Sequence, residues 1–135
     1  MLRRLAESPV ARLASVDSGQ RPHLVPIVFA LEGARLFSAI DSKPKTTTAL
    51  RRLDNIRANP RVAVLADHYD DDWSRLWWVR VDGSARVEHQ GPDRDQAMRL
   101  LAEKYPHYRR EPPPGPVIVV DIDNVTGWSA QDWAP

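Results

Sequence analysis

"HLVPIVFALEGARLFSAID", residues 23–41, decides the fold. It holds two β-rich stretches joined at Glu32-Gly33, where glycine permits the tight reversal a hairpin needs. Just upstream, "VARLASVD" (residues 10–17) is a further apolar run, ended by the turn signal Ser18-Gly19. Taken in order, these runs predict three antiparallel strands in a meander. Pro26 cannot donate to a ladder, so its strand belongs at an edge or a bulge, where a ligand can approach the backbone.

Downstream the period changes. "TTTALRRLDNIRANP" (residues 46–60) has helical spacing: Ala49, Leu53 and Ile56 share one face with Leu50 beside them, a threonine caps the start and Asn59-Pro60 ends it. "RVAVLAD" returns to strand, "HYDDDWSR" is a polar loop, and "LWWVRVDGSARVEH" is a long strand or pair of strands with Trp77, Val79 and Val81 on one side and a bend at Gly83. A second helix opens at Gly91-Pro92-Asp93 and stops at Pro106, with Met98, Leu101 and Tyr105 as its inward stripe. "EPPPGP" is an extended spacer, "VIVVDID" a last strand and "GWSAQDWAP" an aromatic tail, while a short helix from Leu2 to about Glu7 opens the chain and ends at Pro9. Six or seven strands joined mostly by hairpin-length turns, with two or three short helices between them, make a mainly β protein. A small antiparallel barrel fits this order better than a doubly wound sheet.

Composition narrows the function. The 135 residues suit one domain, and their 19 basic against 18 acidic side chains leave no basic face to track a phosphate backbone, which argues against nucleic acid. No apolar run approaches membrane-spanning length, "MLRRLAESP" is too short and polar for a secretory signal, and the expected compartment is the cytoplasm. Without cysteine there is no thiolate nucleophile and no sulfur-ligated metal. His68, Asp70, Asp71 and Asp72 crowd one loop, but neither a calcium-loop pattern nor a paired-histidine spacing is present, so a solvated acidic loop is expected and no metal. No nucleophile elbow or helical carboxylate pair offers hydrolytic chemistry. An enzyme built from these residues needs a bound cofactor for the difficult step.

Charge is distributed unusually. Sixteen of the basic residues are arginine and three are lysine, and two of those lysines fall in "SKPKTTT", residues 42–48, between a strand end and a helix start. Free N–H groups and the positive dipole end of a helix suit an anion, and Lys43 and Lys45 with adjacent hydroxyls add donors. The stretch is either a phosphate cradle or a solvated basic loop. Five tryptophans are either core and subunit interface or a stacking wall for a flat ligand. His23, heading an apolar strand, is either a structural histidine or a proton donor.

The quoted stretches "GQRPHLVPIVF", the lysine-bearing loop into a helix, "NPRVAVL" and "VRVDGSARV", in this order, resemble the pyridoxamine-5′-phosphate-oxidase-like, FMN-binding split-barrel superfamily, and within it the B-type branch of oxidoreductases that use the deazaflavin coenzyme F420. "KYPHYR" and "GWSA" resemble one subgroup of that branch. The resemblance implies a six- to seven-stranded antiparallel split β-barrel over residues 1–135, a homodimer, and a cofactor at each side of the subunit interface. It implies that Ser42, Lys43, Lys45 and Thr46 hold the cofactor phosphate with Thr47 beside them, that Pro26, Ile27 and Val28 line the tricyclic ring, and that Trp77 and Trp78 close the site from the other subunit. Flavin-using members carry Ser-Arg-Lys and a shorter helix where this chain has Ser-Lys-Pro-Lys and a longer one. The implied activity is hydride transfer between reduced F420 and a small unsaturated or heteroaromatic organic substrate, with His23 or Tyr69 as candidate proton donors. FMN chemistry on the same fold, and a deazaflavin carrier without catalysis, are the alternatives.

Overall fold

The computed structural model describes residues 1–40 and 47–132, and only the backbone of residues 47–49. Helix α1 (Leu2–Glu7) leads into β1 (Ala11–Val16), β2 (Pro22–Ile27), β3 (Ala30–Glu32) and β4 (Arg35–Ala39). Then follow α2 (Thr47–Ala58), β5 (Arg61–His68), a single turn of tight helix at Trp73–Arg75, β6 (Trp77–Glu88), α3 (Pro92–Lys104), α4 (Pro106–Arg110) and β7 (Val117–Ser129). All seven strands join one antiparallel sheet in the order β2-β1-β5-β6-β7-β4-β3. The architecture is a split barrel. No described helix is long and apolar enough to cross a membrane.

The first turns form where the sequence marks them. Asp17 Oδ1 accepts the Gly19 and Arg21 N–H groups at 2.8 and 2.9 Å, closing the β1–β2 turn, and Gly33, at φ 60°, reverses the chain between Glu32 and Arg35. Pro26 sits on β2, an edge strand as its missing donor requires.

The meander, however, is broken. Among the described residues β2 pairs only with β1, and β4 pairs with β3 and β7, so the quoted stretch is shared between the two edges of the sheet. Its chain leaves the ladder at Val28-Phe29, and side chains take over the backbone groups there. The Tyr105 hydroxyl accepts the Phe29 N–H at 3.1 Å, and the Ser38 hydroxyl donates to the Val28 carbonyl at 2.8 Å. A break in pairing is tolerable where such partners satisfy the polar groups.

Two apolar clusters explain the strand patterns. β1 and β5 alternate, with Leu13, Val62, Val64 and Ala66 turned into the barrel beside Val79 and Val81 of β6. The second cluster lies on the opposite face of β4 and early β7, where Phe37, Val117 and Val119 pack under Ala97, Leu100 and Leu101 of α3 and Tyr108 of α4. Covered on both faces, "LFSAI" and "VIVV" read as continuous apolar runs rather than alternating ones. α4 has no counterpart among the sequence expectations, and Met98 and Tyr105 are only half-buried at the margin of α3.

α2 buries Leu53 and Ile56 and, between them, Asn55, whose side-chain amide donates to the Ser15 hydroxyl of β1 at 3.3 Å. Leu50 does not join them and is exposed. At Gly83 the β6–β7 register slips by one residue on β7, Asp82 pairing with Asn124 and Gly83 with Ile122. A Cβ at Gly83 would lie 2.2 Å from the Asp121 carbonyl oxygen, so glycine is required by the closeness of the two strands. β7 also runs on through Gly127, Trp128 and Ser129, which pair with Val79, Trp78 and Trp77; the expected aromatic tail is in that part strand.

Candidate functional site

The outer face of the sheet, opposite the barrel interior, is the side that chemistry can reach. Strand pairing brings Pro26, Arg12, Leu65 and Arg80 into one row across β2, β1, β5 and β6, and Trp78 opposite both Asp67 and Trp128. Leu24, Leu65 and Trp128 are exposed there at 68%, 37% and 47%. Three large apolar side chains exposed on one sheet face make this a candidate contact surface. Between them runs a groove of about 580 Å³ with Leu24, Ala14, Ala63 and Leu65 as floor and Trp78 and Arg80 along one side. Arg12 closes the other side, within 3.7 Å of Asp67.

The expected site residues divide along this geometry. Pro26 lies on the outer face, Ile27 is turned into the core at 4% exposure, and Val28 is half-buried against the cluster beneath α3. Trp77 and Trp78 are consecutive on β6 and so face opposite ways. Trp78 borders the groove, while Trp77 packs at the rim of the barrel interior, stacked on His68 with ring centroids 6.4 Å apart and an interplanar angle of 18°. Ser42, Lys43, Lys45 and Thr46 lie outside the described residues, as does the side chain of Thr47. What frames them is described: Ile40, whose N–H donates to Pro116 at 3.2 Å, ends the strand side, and α2 begins at Thr47.

His23 and Tyr69 do not share a site. His23 pairs with Ser15 near the end of β1 that α2 covers, and its Nδ1 is buried with no hydrogen-bond partner among the described residues. Tyr69 follows β5 at the opposite end of the barrel, roughly 20 Å away by strand length. It is exposed, and its hydroxyl accepts the Trp73 indole N–H at 3.4 Å. Among the described residues no three His, Asp or Glu side chains converge as a metal site; in the acidic loop Asp72 instead caps the tight turn by accepting the Ser74 N–H and hydroxyl at 3.1 and 2.7 Å.

Motif reading passes over three residues, of which Arg12 and Leu65 line the groove. Arg12 and Leu65 are the outward members of alternating strands, and the period of two is the signal that finds them. Lys104 carries no such signal: its ammonium lies 3.8 Å from the Phe29 ring centroid, buried and without a hydrogen-bond partner among the described residues, and burial pushes it down to about 8.

Comparison with known proteins places this geometry. A single antiparallel sheet whose chain crosses between its two edges, with an outer-face groove, fits the split-barrel class. Residues 1–129 match the model of the pyridoxamine 5′-phosphate oxidase family, and the chain belongs to that family. No curated protein matches it. Among solved structures it is similar to a conserved hypothetical protein of Mycobacterium tuberculosis, at 18% identity over 94% of this chain and 81% of that one, with a TM-score of 0.76. It is also similar to an FAD-binding protein of Mesorhizobium loti, at 26% identity over 93% and 89%, with a TM-score of 0.63. A third is HutZ, the heme storage protein of Vibrio cholerae, at 14% identity over 95% and 91%, with a TM-score of 0.72. The family and the split-barrel fold agree with the sequence resemblance, and relatives of this fold bind flavin and heme alike.

Proposed function

We propose that the protein is a coenzyme F420-dependent oxidoreductase that works as a homodimer, passing a hydride between reduced deazaflavin and a small unsaturated or heteroaromatic organic substrate. The observation that carries the reading is the outer-face groove, with its apolar floor between Trp78 and Arg80 on one side and Arg12 on the other, in a chain whose "SKPKTTT" leads in sequence from β4 into α2. The described residues fit a flat ring: the floor is apolar, Trp78 offers a face to stack on, and Pro26 leaves the edge of β2 open. A bound deazaflavin would supply two-electron hydride chemistry.

In this reading Lys43 and Lys45, with Ser42, Thr46 and Thr47, hold the phosphate by charge and hydroxyl donors. Pro26 and Val28 set the position of the ring, Ile27 holds that strand to the core, and Trp78 of the partner subunit covers the ring and excludes water. A homodimer buries Leu24, Leu65 and Trp128 at the same time. A proton needed by the acceptor comes from His23, whose buried Nδ1 has no hydrogen-bond partner among the described residues, or from solvent.

FMN is the alternative cofactor, favoured by the FAD-binding relative at 26% identity. Titration of the tryptophan fluorescence with F420 and with FMN separates the two, and oxidation of reduced F420 by a panel of enones and quinones separates an enzyme from a carrier. Micromolar binding of F420 with turnover is the expected result. Binding of FMN alone would replace the deazaflavin reading by its flavin counterpart, and binding without turnover would leave a carrier.

A further inference from the structure

At the α1 end of the barrel, two adjoining cavities of about 650 and 400 Å³ share Arg4, His68, Arg75 and Trp77 as walls. We propose that they form a second ligand site, for a small aromatic carboxylate, with Arg4 as its anion-binding group and Trp77 as its stacking platform.

Charge pairing singles out Arg4. Around these cavities Glu7 is engaged by Arg3 at 3.2 Å, Asp67 by Arg12 at 3.7 Å, and Asp70 by Arg75 at 3.5 Å with His68 at 3.8 Å, while Asp72 takes its turn donors. Arg4 alone among these arginines has no carboxylate partner among the described residues. Its guanidinium lies 5.8 Å from the Trp77 ring, held there by helix α1, whose Leu5 is fully buried in the core. A planar fork over a planar indole is pre-set for a flat anion, since the guanidinium matches a carboxylate in two parallel hydrogen bonds.

The ligand class follows from the same groups. One guanidinium without a carboxylate partner, beside four acidic side chains, balances one negative charge and disfavours a dianion, which selects a carboxylate over a phosphate. Trp77, stacked on His68 and backed by the core, and Tyr69 at the outer margin give π faces for an aromatic ring, and the larger cavity holds one or two fused rings. This site is independent of which cofactor the protein uses.

The test is calorimetric titration of the whole protein with naphthoate and with cyclohexanecarboxylate. Naphthoate is expected to bind and cyclohexanecarboxylate, which has the charge without the flat ring, to bind far more weakly. Arg4→Gln should weaken naphthoate by about tenfold or more, while Arg3→Gln, one residue away on α1, leaves it unchanged. Melting temperatures of both variants, equal to that of the parent, establish that α1 is still docked; if Arg4→Gln alone melts early, Trp77→Leu replaces it as the weakening variant. Saturating F420 or FMN should not displace naphthoate. Absence of naphthoate binding at several millimolar, equal affinity in Arg4→Gln, or displacement by either cofactor would each overturn the assignment.

Discussion

The Tyr105 hydroxyl and the Phe29 backbone form a closed clasp: the hydroxyl accepts the Phe29 N–H at 3.1 Å and lies 3.1 Å from the Phe29 carbonyl and 2.9 Å from that of Pro9. With one proton to give, it serves the two carbonyls in alternation. The clasp ties the end of α3 to the point where the chain passes from one edge of the sheet to the other. Tyr105→Phe keeps the ring and removes the clasp, leaving a part-buried N–H unpaired, and should cost about 1–3 kcal/mol in urea unfolding. A loss below about 0.5 kcal/mol would mean that the strand break is held by packing alone.

Lys104 makes stability depend on pH with a defined sign. Burial lowers its ammonium from the ordinary 10.5 to about 8, so between these values the unfolded chain binds the proton that the folded chain has released. Stability therefore rises with pH through that window, and below about 8 the cost of the buried charge is present in full. Lys104→Met should melt at a higher temperature than the parent at neutral pH, with the gap closing as pH approaches about 10. A gap that stays constant across that range would show that Lys104 does not titrate there.

Two glycines should respond to alanine for different reasons. At Gly83 the new methyl meets the Asp121 carbonyl at 2.2 Å, and one strand or the other has to move; a loss of about 3 kcal/mol or more is expected. At Gly33 the new methyl would meet nothing within 4 Å beyond its chain neighbours, and the cost is only that of a positive φ, about 1–2 kcal/mol. Chemical denaturation of the pair ranks them, and the reverse order would contradict the close approach of β6 and β7.

Leu24 tests the proposed dimer. Its side chain is 68% exposed, so Leu24→Glu should leave the fold intact while placing a charge in the centre of the proposed interface. Light scattering should show a dimer for the parent and a monomer for the variant, with cofactor affinity falling together with assembly. An unchanged mass would move the interface elsewhere.

The loop lysines are tested singly. If the proposed phosphate cradle holds, Lys43→Ala and Lys45→Ala should each weaken cofactor binding, and unequally, since a charge contributes less at longer range. Fluorescence titration measures both, and unchanged affinity in the two variants would return "SKPKTTT" to an ordinary basic loop.

Local chemistry made much of the fold legible. Gly33, Gly83, Asn59-Pro60 and Gly91-Pro92 each mark a turn, bulge or helix end because glycine and proline limit the backbone wherever they occur. Pairing is another matter: Phe37 lies opposite Val119, and nothing near either residue in sequence announces the other. Gly127, Trp128 and Ser129 are extended because β6 reaches beside them, a tertiary cause that outweighs their own preference. In the candidate site, alternation separates Trp77 from Trp78 and Ile27 from Pro26, whereas the isolation of Arg4 depends on where each neighbouring carboxylate finds its partner. That is a property of three dimensions only.

β7 lies between β6 and β4 in the sheet yet follows every other described strand in the chain. During synthesis the β3–β4 hairpin therefore waits without a neighbour while about eighty further residues emerge, its edge open and its apolar faces uncovered. The ribosome must deliver the chain through β7 before the barrel can close. Whatever shields Phe37 in that interval, a chaperone or the speed of translation itself, governs the yield of folded protein as much as any contact in the finished molecule.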